Sequence, residues 1–320
     1  MEKKTLSQEV VIKVTNINKE YDSVEILNEI SFEVRKGEIF ALLGPDGSGK
    51  TTVIEILEGI RSLSNGEVSI LGYNVKSKIE MRAIKKRIGV LPQEFSTHGN
   101  LTVKENIQFW GKMYDNMIEV SELLTLFNIE EYENVRYSKL PSNIKRKVGL
   151  ATTLVNDPEI IFLDEPTAGL DYYAKKEIWA IIEEFKKQGK TFFLSTNLAQ
   201  EPHAIADKVA IIHQGRIRDM GSPEELITRY SSEQTFIVRC PNKESLDKAK
   251  KILETITKVE IVSDEIVLTS AEITLLEMLE KLDKEQVKYS DIISSKPSLN
   301  DVFLNLTGES LNQKQETLGD

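Results

Sequence analysis

A loop able to hold phosphate groups occupies residues 44–52, which read Gly44-Pro45-Asp46-Gly47-Ser48-Gly49-Lys50-Thr51-Thr52. The glycines allow backbone N–H groups to turn toward an anion, and a following helix would add the partial positive charge of its N-terminus. In the G-x-x-x-x-G-K-[ST] pattern, we expect Lys50 to reach the β- and γ-phosphates and the Thr51 hydroxyl to bind Mg²⁺. A glycine turn that matches this pattern by chance is the alternative.

The residues on either side of this loop decide between the two interpretations. An unbroken apolar run, Ile39-Phe40-Ala41-Leu42-Leu43, precedes the loop and predicts a strand buried on both faces. After the loop, Val53, Ile54, Leu57 and Ile60 recur at helical spacing. A strand, a phosphate loop and a helix in this order are the context that the motif needs. The sequence therefore predicts that the chain binds a nucleoside triphosphate.

Two adjacent carboxylates, Asp164 and Glu165, follow a second apolar run, Ile160-Ile161-Phe162-Leu163. A strand that ends in two acids is often only a solvated turn. Together with an intact phosphate loop upstream, the pair indicates an ATPase. We expect Asp164 to enter the Mg²⁺ shell and Glu165 to act on the attacking water.

Composition excludes several other classes of protein. The chain has 320 residues and a formal net charge of -10, which argues against a nucleic-acid partner. Its single cysteine, Cys240, permits no internal disulfide and favours a reducing compartment. We expect no signal peptide, because Met1-Glu2-Lys3-Lys4 leads into polar residues, and no segment reaches the ~20 apolar residues of a membrane span.

The first 222 residues are expected to form one domain. Short strands are predicted at 10–14, 24–27 and 30–34, and Tyr21 falls in a polar loop between the first two, where it either packs or stacks on a base. A helical insertion is predicted at about 94–156. Within it, Thr102 and Glu105 form a capping box.

The remaining chain predicts a linker at 223–234 that includes a short helix, and then a smaller accessory domain at 235–308. Its apolar segments follow the order β-α-β-β-α-β, with the last strand placed at 287–294, which is the order of a ferredoxin-like fold. A short helix closes this domain. We expect residues 309–320 to form a disordered tail.

With these parts in place, the chain resembles the ATP-binding subunit of an ABC transporter, in the prokaryotic drug- and peptide-export subfamily that carries a C-terminal extension. Three segments beyond the phosphate loop and the two carboxylates support the resemblance: Leu91-Pro92-Gln93-Glu94, Pro166-Thr167-Ala168-Gly169-Leu170-Asp171 and Pro297-Ser298-Leu299-Asn300-Asp301-Val302-Phe303. It implies an α/β phosphate-loop NTPase with an antiparallel β subdomain and a helical insertion, followed by the small α+β domain.

The resemblance also implies roles for single residues. Tyr21 would stack on adenine, Gln93 would approach Mg²⁺ and the attacking water, and Asp171 would lie between two nucleotide domains. Such subunits work as dimers that hold two ATP molecules between them and move a membrane permease. We therefore expect the chain at the cytoplasmic face of the cell membrane, held there by the permease, with no nucleic-acid partner.

Three departures from the family pattern bear on catalysis. The family's signature segment, Leu-Ser-Gly-Gly-Gln, is replaced here by Leu140-Pro141-Ser142-Asn143-Ile144. Pro141 has neither a hydroxyl nor an N–H group, and Asn143 adds a side chain where glycine allows close approach. A histidine that contacts the γ-phosphate in the family is Asn197 here. Asp46 replaces an asparagine and adds a negative charge near the phosphates.

These departures leave several functions open. Neutral drift in a working ATPase is one interpretation. The sharper hypothesis is a slow ATPase or a heterodimer, in which a second ATP-binding subunit supplies an intact signature segment to Glu165. A regulatory subunit that binds ATP without hydrolysis and a soluble ABC ATPase outside transport are the alternatives. The cargo cannot be predicted from this chain.

Overall fold

The computed structural model describes residues 9–22, 24–230, 234–270 and 273–311, and the chain divides into two compact units, the second of which is Glu224–Glu309. The predicted disordered tail lies outside the described residues from position 312 onward, as does the N-terminal segment 1–8. Among the described residues, no helix is both long enough and apolar enough to cross a membrane.

Strands and helices alternate through the first unit, as an α/β fold requires. The strands are β1 (Val10–Tyr21), β2 (Val24–Arg35), β3 (Ile39–Leu43), β4 (Asn65–Ile70), β5 (Tyr73–Asn74), β6 (Ile88–Leu91), β7 (Ile160–Asp164), β8 (Thr191–Thr196), β9 (Lys208–His213) and β10 (Arg216–Gly221). The helices are α1 (Lys50–Leu57), α2 (Lys78–Lys85), α3 (Val103–Gly111), α4 (Val120–Leu126), α5 (Ser142–Leu154), α6 (Tyr172–Lys187) and α7 (Gln200–Ile205). Short 3₁₀ turns cover Glu130–Tyr132 and Tyr137–Lys139.

The central sheet has the strand order β10-β9-β3-β8-β7-β6. Its strands are parallel except for β10, which returns against β9 as the predicted hairpin. Every residue of β3, β7 and β8 is buried, which explains why the apolar residues of these strands are consecutive and do not alternate with exposed ones. Because β8 lies between β3 and β7, the phosphate loop and the two carboxylates follow strands at the same edge of the sheet.

A separate antiparallel sheet has the strand order β2-β1-β4-β5. Strands β1 and β2 precede the phosphate-loop helix α1 in the sequence, and β4 and β5 follow it. Two predictions are wrong here. Residues 24–27 and 30–34 belong to the single strand β2, and Tyr21 ends β1 opposite Val24 rather than lying in a loop. The physical reason is a set of register shifts between β1 and β2, with Asn16 and Glu29 at positive φ. These bulges allow polar residues to continue a strand.

Helices α3, α4 and α5 form the helical insertion between β6 and β7. The predicted capping box opens α3, because Thr102 accepts from the Glu105 N–H while the Glu105 carboxylate accepts from the Thr102 N–H. Val103, Ile107, Val148 and Ala151 are fully buried, so α3 and α5 contribute to one apolar core. The helical insertion therefore has its own packed apolar core.

The second unit contains α8 (Pro223–Tyr230, whose first residue ends the first unit), β11 (Gln234–Arg239), α9 (Lys243–Leu253), β12 (Val259–Val262), β13 (Glu265–Ser270), α10 (Leu275–Lys284), β14 (Asp291–Ser295) and α11 (Leu299–Thr307). Its sheet has the antiparallel order β12-β13-β11-β14, which is ferredoxin-like. The last strand begins at Asp291 rather than at Val287. Val287 instead packs in the core of this unit with Phe236 and Met278.

Candidate functional site

The phosphate loop joins β3 to α1 in a tight turn that depends on glycine. Gly47 and Gly49 have φ values of 77° and 106°, a region that other residues rarely adopt. A Cβ atom on Gly49 would lie 2.6 Å from Cδ2 of Leu27, and one on Gly44 would lie 2.3 Å from the Ile212 carbonyl oxygen. Glycine is therefore required at all three positions, by backbone conformation at Gly47, by close approach at Gly44 and by both at Gly49.

Lys50 lies inside this loop and is only 4% exposed. Its Nζ donates to the carbonyl oxygens of Gly44 at 2.9 Å and Pro45 at 3.0 Å, and it lies 3.7 Å from Glu165 Oε1. Burial lowers the Lys50 pKa, while the Glu165 and Asp46 carboxylates oppose that shift. A buried ammonium of this kind favours a bound anion, because further negative charge stabilises its protonated form.

Thr51 and Asp164 bring two oxygen ligands together. The Thr51 hydroxyl donates to Asp164 Oδ2 at 3.1 Å, and the Ser195 hydroxyl donates to Asp164 Oδ1. In the described part of the chain, no group of three or more His, Cys, Asp or Glu residues could hold a metal by itself. This arrangement fits Mg²⁺, which is commonly bound through one or two protein oxygens together with substrate phosphates.

Glu165 meets Gln93 at the carboxyl end of β7. The Gln93 side chain donates from Nε2 to Glu165 Oε2 at 2.9 Å, which places the segment after β6 against the second carboxylate. Glu165 is 8% exposed and its backbone has a positive φ of 46°. Burial raises the Glu165 pKa, although Lys50 opposes the shift. A carboxylate with a raised pKa is better matched to general-base chemistry than a solvated one.

Arg146 joins these parts, and the sequence did not indicate its role. Its guanidinium donates to the carbonyl oxygens of Pro92 at 3.3 Å, Gln93 at 3.1 Å, Asp164 at 3.0 Å, Glu165 at 2.7 Å and Pro166 at 2.7 Å. Burial lowers the Arg146 pKa. One side chain from α5 thus holds the backbone on both sides of the Gln93–Glu165 contact.

Two further buried polar side chains lie near the site: Glu201, which the sequence did not indicate, and Ser48, which belongs to the predicted phosphate loop. The Glu201 side chain is fully buried and accepts from the Thr167 hydroxyl at 2.8 Å and from Trp179 Nε1 at 3.2 Å. Burial raises the Glu201 pKa. Ser48 Oγ, inside the phosphate loop, is buried without a hydrogen-bond partner among the described residues. A buried hydroxyl without a partner is the kind of donor that a phosphate oxygen would satisfy.

Asn197 contacts the phosphate loop, whereas Tyr21 contacts Arg61 and Lys19. The Asn197 side chain donates from Nδ2 to Asp46 Oδ1 at 3.0 Å, so two of the departures from the family pattern contact each other. Tyr21 accepts a hydrogen bond from Arg61, and the Lys19 ammonium lies 4.6 Å from the centre of its ring. Stacking of Tyr21 on a base remains a prediction.

The signature segment begins α5. Leu140 and Ile144 are buried, whereas Ser142 is exposed, and Pro141 is the N-cap residue with no side-chain capping bond. Asp171 is exposed and caps α6, because its carboxylate accepts from the Ala174 N–H at 2.9 Å. The structure thus gives Asp171 a role within the chain, and its predicted place between two subunits remains a prediction.

A cavity of about 400 Å³ lies between the central sheet and the helical insertion, next to Pro92 and Glu94. Its apolar lining includes Ile60, Phe95 and Trp110. Glu58, which is 5% exposed, also lines the cavity, and in the described part of the chain no hydrogen bond or ion pair reaches its carboxylate. Burial raises the Glu58 pKa to about 8, with further raising by Asp164 and Glu55 and lowering by Lys85.

The raised Glu58 pKa predicts a specific dependence of stability on pH. Because the folded chain holds this proton up to about pH 8, whereas the unfolded chain releases it near the ordinary glutamate pKa of 4.5, the free energy of unfolding should fall as pH rises between these values. The fall should be roughly 3–5 kcal/mol. Glu58→Gln should remove this fall and make the chain more stable than the wild type at pH 8. Denaturant unfolding at pH 5.5 and 8.5 measures both effects, and parallel losses in the two proteins would contradict the assignment.

Comparisons with known proteins agree on one family. Residues 27–168 match the family model described as ABC transporter. The chain is 30% identical over 314 residues to Nod factor export ATP-binding protein I of Rhizobium sp. (strain N33), covering 94% of this chain and 98% of that protein. It is 28% identical over 312 residues to linearmycin resistance ATP-binding protein LnrL of Bacillus subtilis (strain 168), covering 94% and 99%.

Solved structures with a similar fold belong to the same class. An ATP-binding subunit of an ABC transporter superposes with a TM-score of 0.62 at 24% identity, covering 69% of this chain and 93% of that chain. The cbiO1 protein of Clostridium perfringens, part of the ABC transporter complex cbiONQ, superposes with a TM-score of 0.62 at 25% identity, covering 78% and 98%.

Proposed function

The chain belongs to the ABC transporter family of ATP-binding subunits. On that premise we propose that it binds and hydrolyses Mg²⁺–ATP and drives export through a separate membrane permease. The export assignment is supported by the relatives, whose names describe Nod factor export and linearmycin resistance. The permease would hold this subunit at the cytoplasmic face of the membrane.

The observation that carries the proposal is the meeting of three side-chain pairs at one edge of the central sheet. Lys50 and Glu165 lie 3.7 Å apart, Thr51 and Asp164 are hydrogen-bonded, and Gln93 is hydrogen-bonded to Glu165. When bound by Thr51 and Asp164, Mg²⁺ would neutralise charge on the phosphate oxygens. Lys50 would bind those oxygens, while Glu165 would accept the proton of the attacking water and Gln93 would orient the Glu165 carboxylate.

A binding measurement on the isolated chain tests this proposal. Mg²⁺–ATP should bind, and Lys50→Ala should weaken the affinity at least tenfold, because the buried ammonium is the direct partner of the phosphates. Lys112→Ala on the exposed surface serves as the matched control, since it removes the same charge outside the site. Fluorescence titration with a labelled ATP analogue measures the affinities. Failure of the wild type to bind at millimolar ATP would reject the proposal.

The signature segment supports the proposal that hydrolysis is slow or depends on a different partner subunit. Pro141 offers neither an N–H group nor a hydroxyl to a γ-phosphate. Among the described residues, the N–H groups of Ser142, Asn143 and Ile144 in the first turn of α5 have no partner, because intrahelical bonding begins with the Lys145 N–H donating to the Pro141 carbonyl oxygen. We therefore favour a weakened segment over an inactive one. In a heterodimer, an intact segment of the partner would face this chain's Glu165.

Restoring the family residues should increase turnover. The variant Pro141→Ser, Ser142→Gly, Asn143→Gly and Asn197→His should hydrolyse ATP about tenfold faster than the unmodified chain alone, because it regains charge-assisted hydrogen bonds to the γ-phosphate. Steady-state phosphate release from each isolated protein measures the change. The variant without Asn197→His serves as a control that separates the two regions. Equal rates for the unmodified and restored chains would contradict the proposed impairment.

The cavity beside Gln93 supports a contact with the permease. It is lined by both the central sheet and the helical insertion, and its neighbour Pro92 precedes Gln93 directly. A segment of the permease in this cavity would therefore touch the same backbone that Arg146 holds at the hydrolytic site. Affinity purification of the tagged chain from its native membranes should recover a polytopic permease. Recovery of this chain as the sole ATPase subunit would count against the heterodimer.

Pro141 also favours a second candidate, a regulatory subunit that binds ATP without hydrolysis. Both candidates predict ATP binding, so binding does not separate them. Single-turnover hydrolysis with the protein in excess over ATP does, since a slow ATPase still converts its bound ATP. A soluble ABC ATPase outside transport is separated by the membrane purification, because it would bring no permease.

A further inference from the structure

Asn197 lies beside the phosphate loop because of the register of the central sheet. It directly follows Thr196, the last residue of β8, which pairs with Leu43 at the end of β3. The Gly44 N–H, at the start of the loop, donates to the Thr196 carbonyl oxygen at 3.2 Å. The Asn197 side chain then reaches Asp46 within the loop, with Nδ2 3.0 Å from Oδ1. Two positions 151 residues apart in sequence thus form one contact at the site.

The chemistry of this contact fixes which end of the amide faces the phosphate loop. An ionised carboxylate can only accept hydrogen bonds, whereas a side-chain amide has a donating and an accepting end. Asp46 is therefore satisfied only when the Nδ2 end of Asn197 faces it. Nδ2 carries two N–H groups, and this contact uses one of them. An asparagine at position 46 could accept or donate, and it would not impose that orientation.

Asp46 also lies within the electrostatic field of the hydrolytic groups. Burial lowers the Lys50 pKa and raises the Glu165 pKa, and the nearby Asp46 charge contributes a smaller upward shift to each pKa. Taken alone, a carboxylate here opposes the binding of anionic phosphates. A neutral amide donor between the carboxylate and the phosphates reduces that penalty and can serve both anions at once. This explains why an acid is tolerated in the loop of this chain.

We propose that Asp46 is a positioning residue for ATP hydrolysis, holding the Asn197 amide so that its second N–H donates to the terminal phosphate of ATP. The proposal rests on the function proposed above. Asp46 and Asn197 then act as a pair in which the carboxylate at position 46 orients the donor at position 197. The pair replaces the family's histidine, whose imidazole can be neutral or charged. The Asn197 amide that stands there instead is an uncharged donor that cannot exchange a proton near neutral pH.

A double-mutant cycle in single-turnover hydrolysis tests the pair. Asp46→Ala and Asn197→Ala should each lower the rate constant about tenfold, the effect of losing one hydrogen bond to a charged group. The double variant should be no slower than the slower single variant, because both changes remove the same donor. Affinity for ATP should stay within about threefold of the wild type or improve in Asp46→Ala. Asp264→Asn, in an exposed turn of the second unit, changes the net charge equally and should have no effect.

A reversed pair separates positioning from simple loop stability. Asp46→Asn with Asn197→Asp restores a hydrogen bond between the two positions but places a carboxylate where the donor is required. We expect normal thermal unfolding and a rate constant at least as low as that of Asn197→Ala. Rate losses that multiply in the Ala double variant, or a wild-type rate in the reversed pair, would overturn the proposal. Loss of ATP binding by the wild type would instead overturn the proposed function.

Discussion

Glu165→Gln should reduce the single-turnover rate of ATP hydrolysis by about 10²–10⁴-fold, the usual contribution of a general base, while ATP binding is retained. Glutamine has nearly the same shape, and its Oε1 can still accept from Gln93 Nε2, a contact of 2.9 Å in the native chain. It cannot accept the proton of the attacking water. The phosphate-binding groups, Lys50 and the loop N–H groups, are unchanged. The substitution should therefore separate binding from hydrolysis.

The control for this substitution is Glu183→Gln on the exposed face of α6, which removes the same charge outside the site. Rates are measured by quenching with acid over a range of pH. Because burial raises the Glu165 pKa, the wild-type rate should increase with pH through a value above the usual range of a glutamate, as the base ionises. This limb should be missing from the residual rate of Glu165→Gln. An unchanged rate in the variant would show that another group accepts the proton.

The sequence alone was sufficient for the parts of the site that follow buried strands. The runs 39–43 and 160–163 are apolar without alternation, and each is followed directly by a residue of the site, Gly44 or Asp164. A motif that follows such a strand has its position fixed by the parallel sheet. For the same reason, the prediction that Lys50, Asp164 and Glu165 lie together did not require knowledge of side-chain contacts.

Contacts made through the backbone, or between distant exposed residues, were not predictable in this way. Arg146 donates to backbone carbonyl oxygens. Because every residue has such an oxygen, the residue types of its partners give no sign of the contact. The Asp46–Asn197 contact depends on the register of β3 against β8. Tyr21 was misplaced because bulges continue β1 through polar residues. Glu58 lies directly after the last residue of α1, where a glutamate is usually exposed, and only the packed structure shows that it is buried.

The contacts of Arg146 predict that its removal has a large effect on stability. Arg146→Ala should lower the free energy of unfolding of the first unit by roughly 3–5 kcal/mol, because several carbonyl oxygens lose their charged hydrogen-bond donor at about 1–3 kcal/mol each. This substitution would remove the guanidinium nitrogens that lie 2.7–3.1 Å from the carbonyl oxygens of Gln93, Asp164 and Glu165. Thermal unfolding should shift downward by about 6–15 °C for a unit of this size.

The same substitution should impair hydrolysis beyond its effect on folding. Without Arg146, the segment after β6 is free to move away from the end of β7, so the Gln93–Glu165 contact is no longer held at 2.9 Å. At a temperature where the variant is fully folded, its single-turnover rate should still fall at least tenfold, because displacement of a catalytic group by about 1 Å is costly. ATP affinity should change less, since Lys50 remains in place.

Two control variants make this result specific. Arg82→Ala, on the exposed face of α2, removes an arginine without such contacts and should change neither stability nor rate. Arg146→Lys keeps the charge, but an ammonium has three donors and lacks the planar fork that reaches both segments, so we expect intermediate losses. If Arg146→Ala lowers stability but hydrolyses ATP at the wild-type rate when folded, Arg146 only supports the fold. A rate that falls together with the loss of the Gln93–Glu165 contact would instead identify α5 as the element that connects the signature segment to the hydrolytic site.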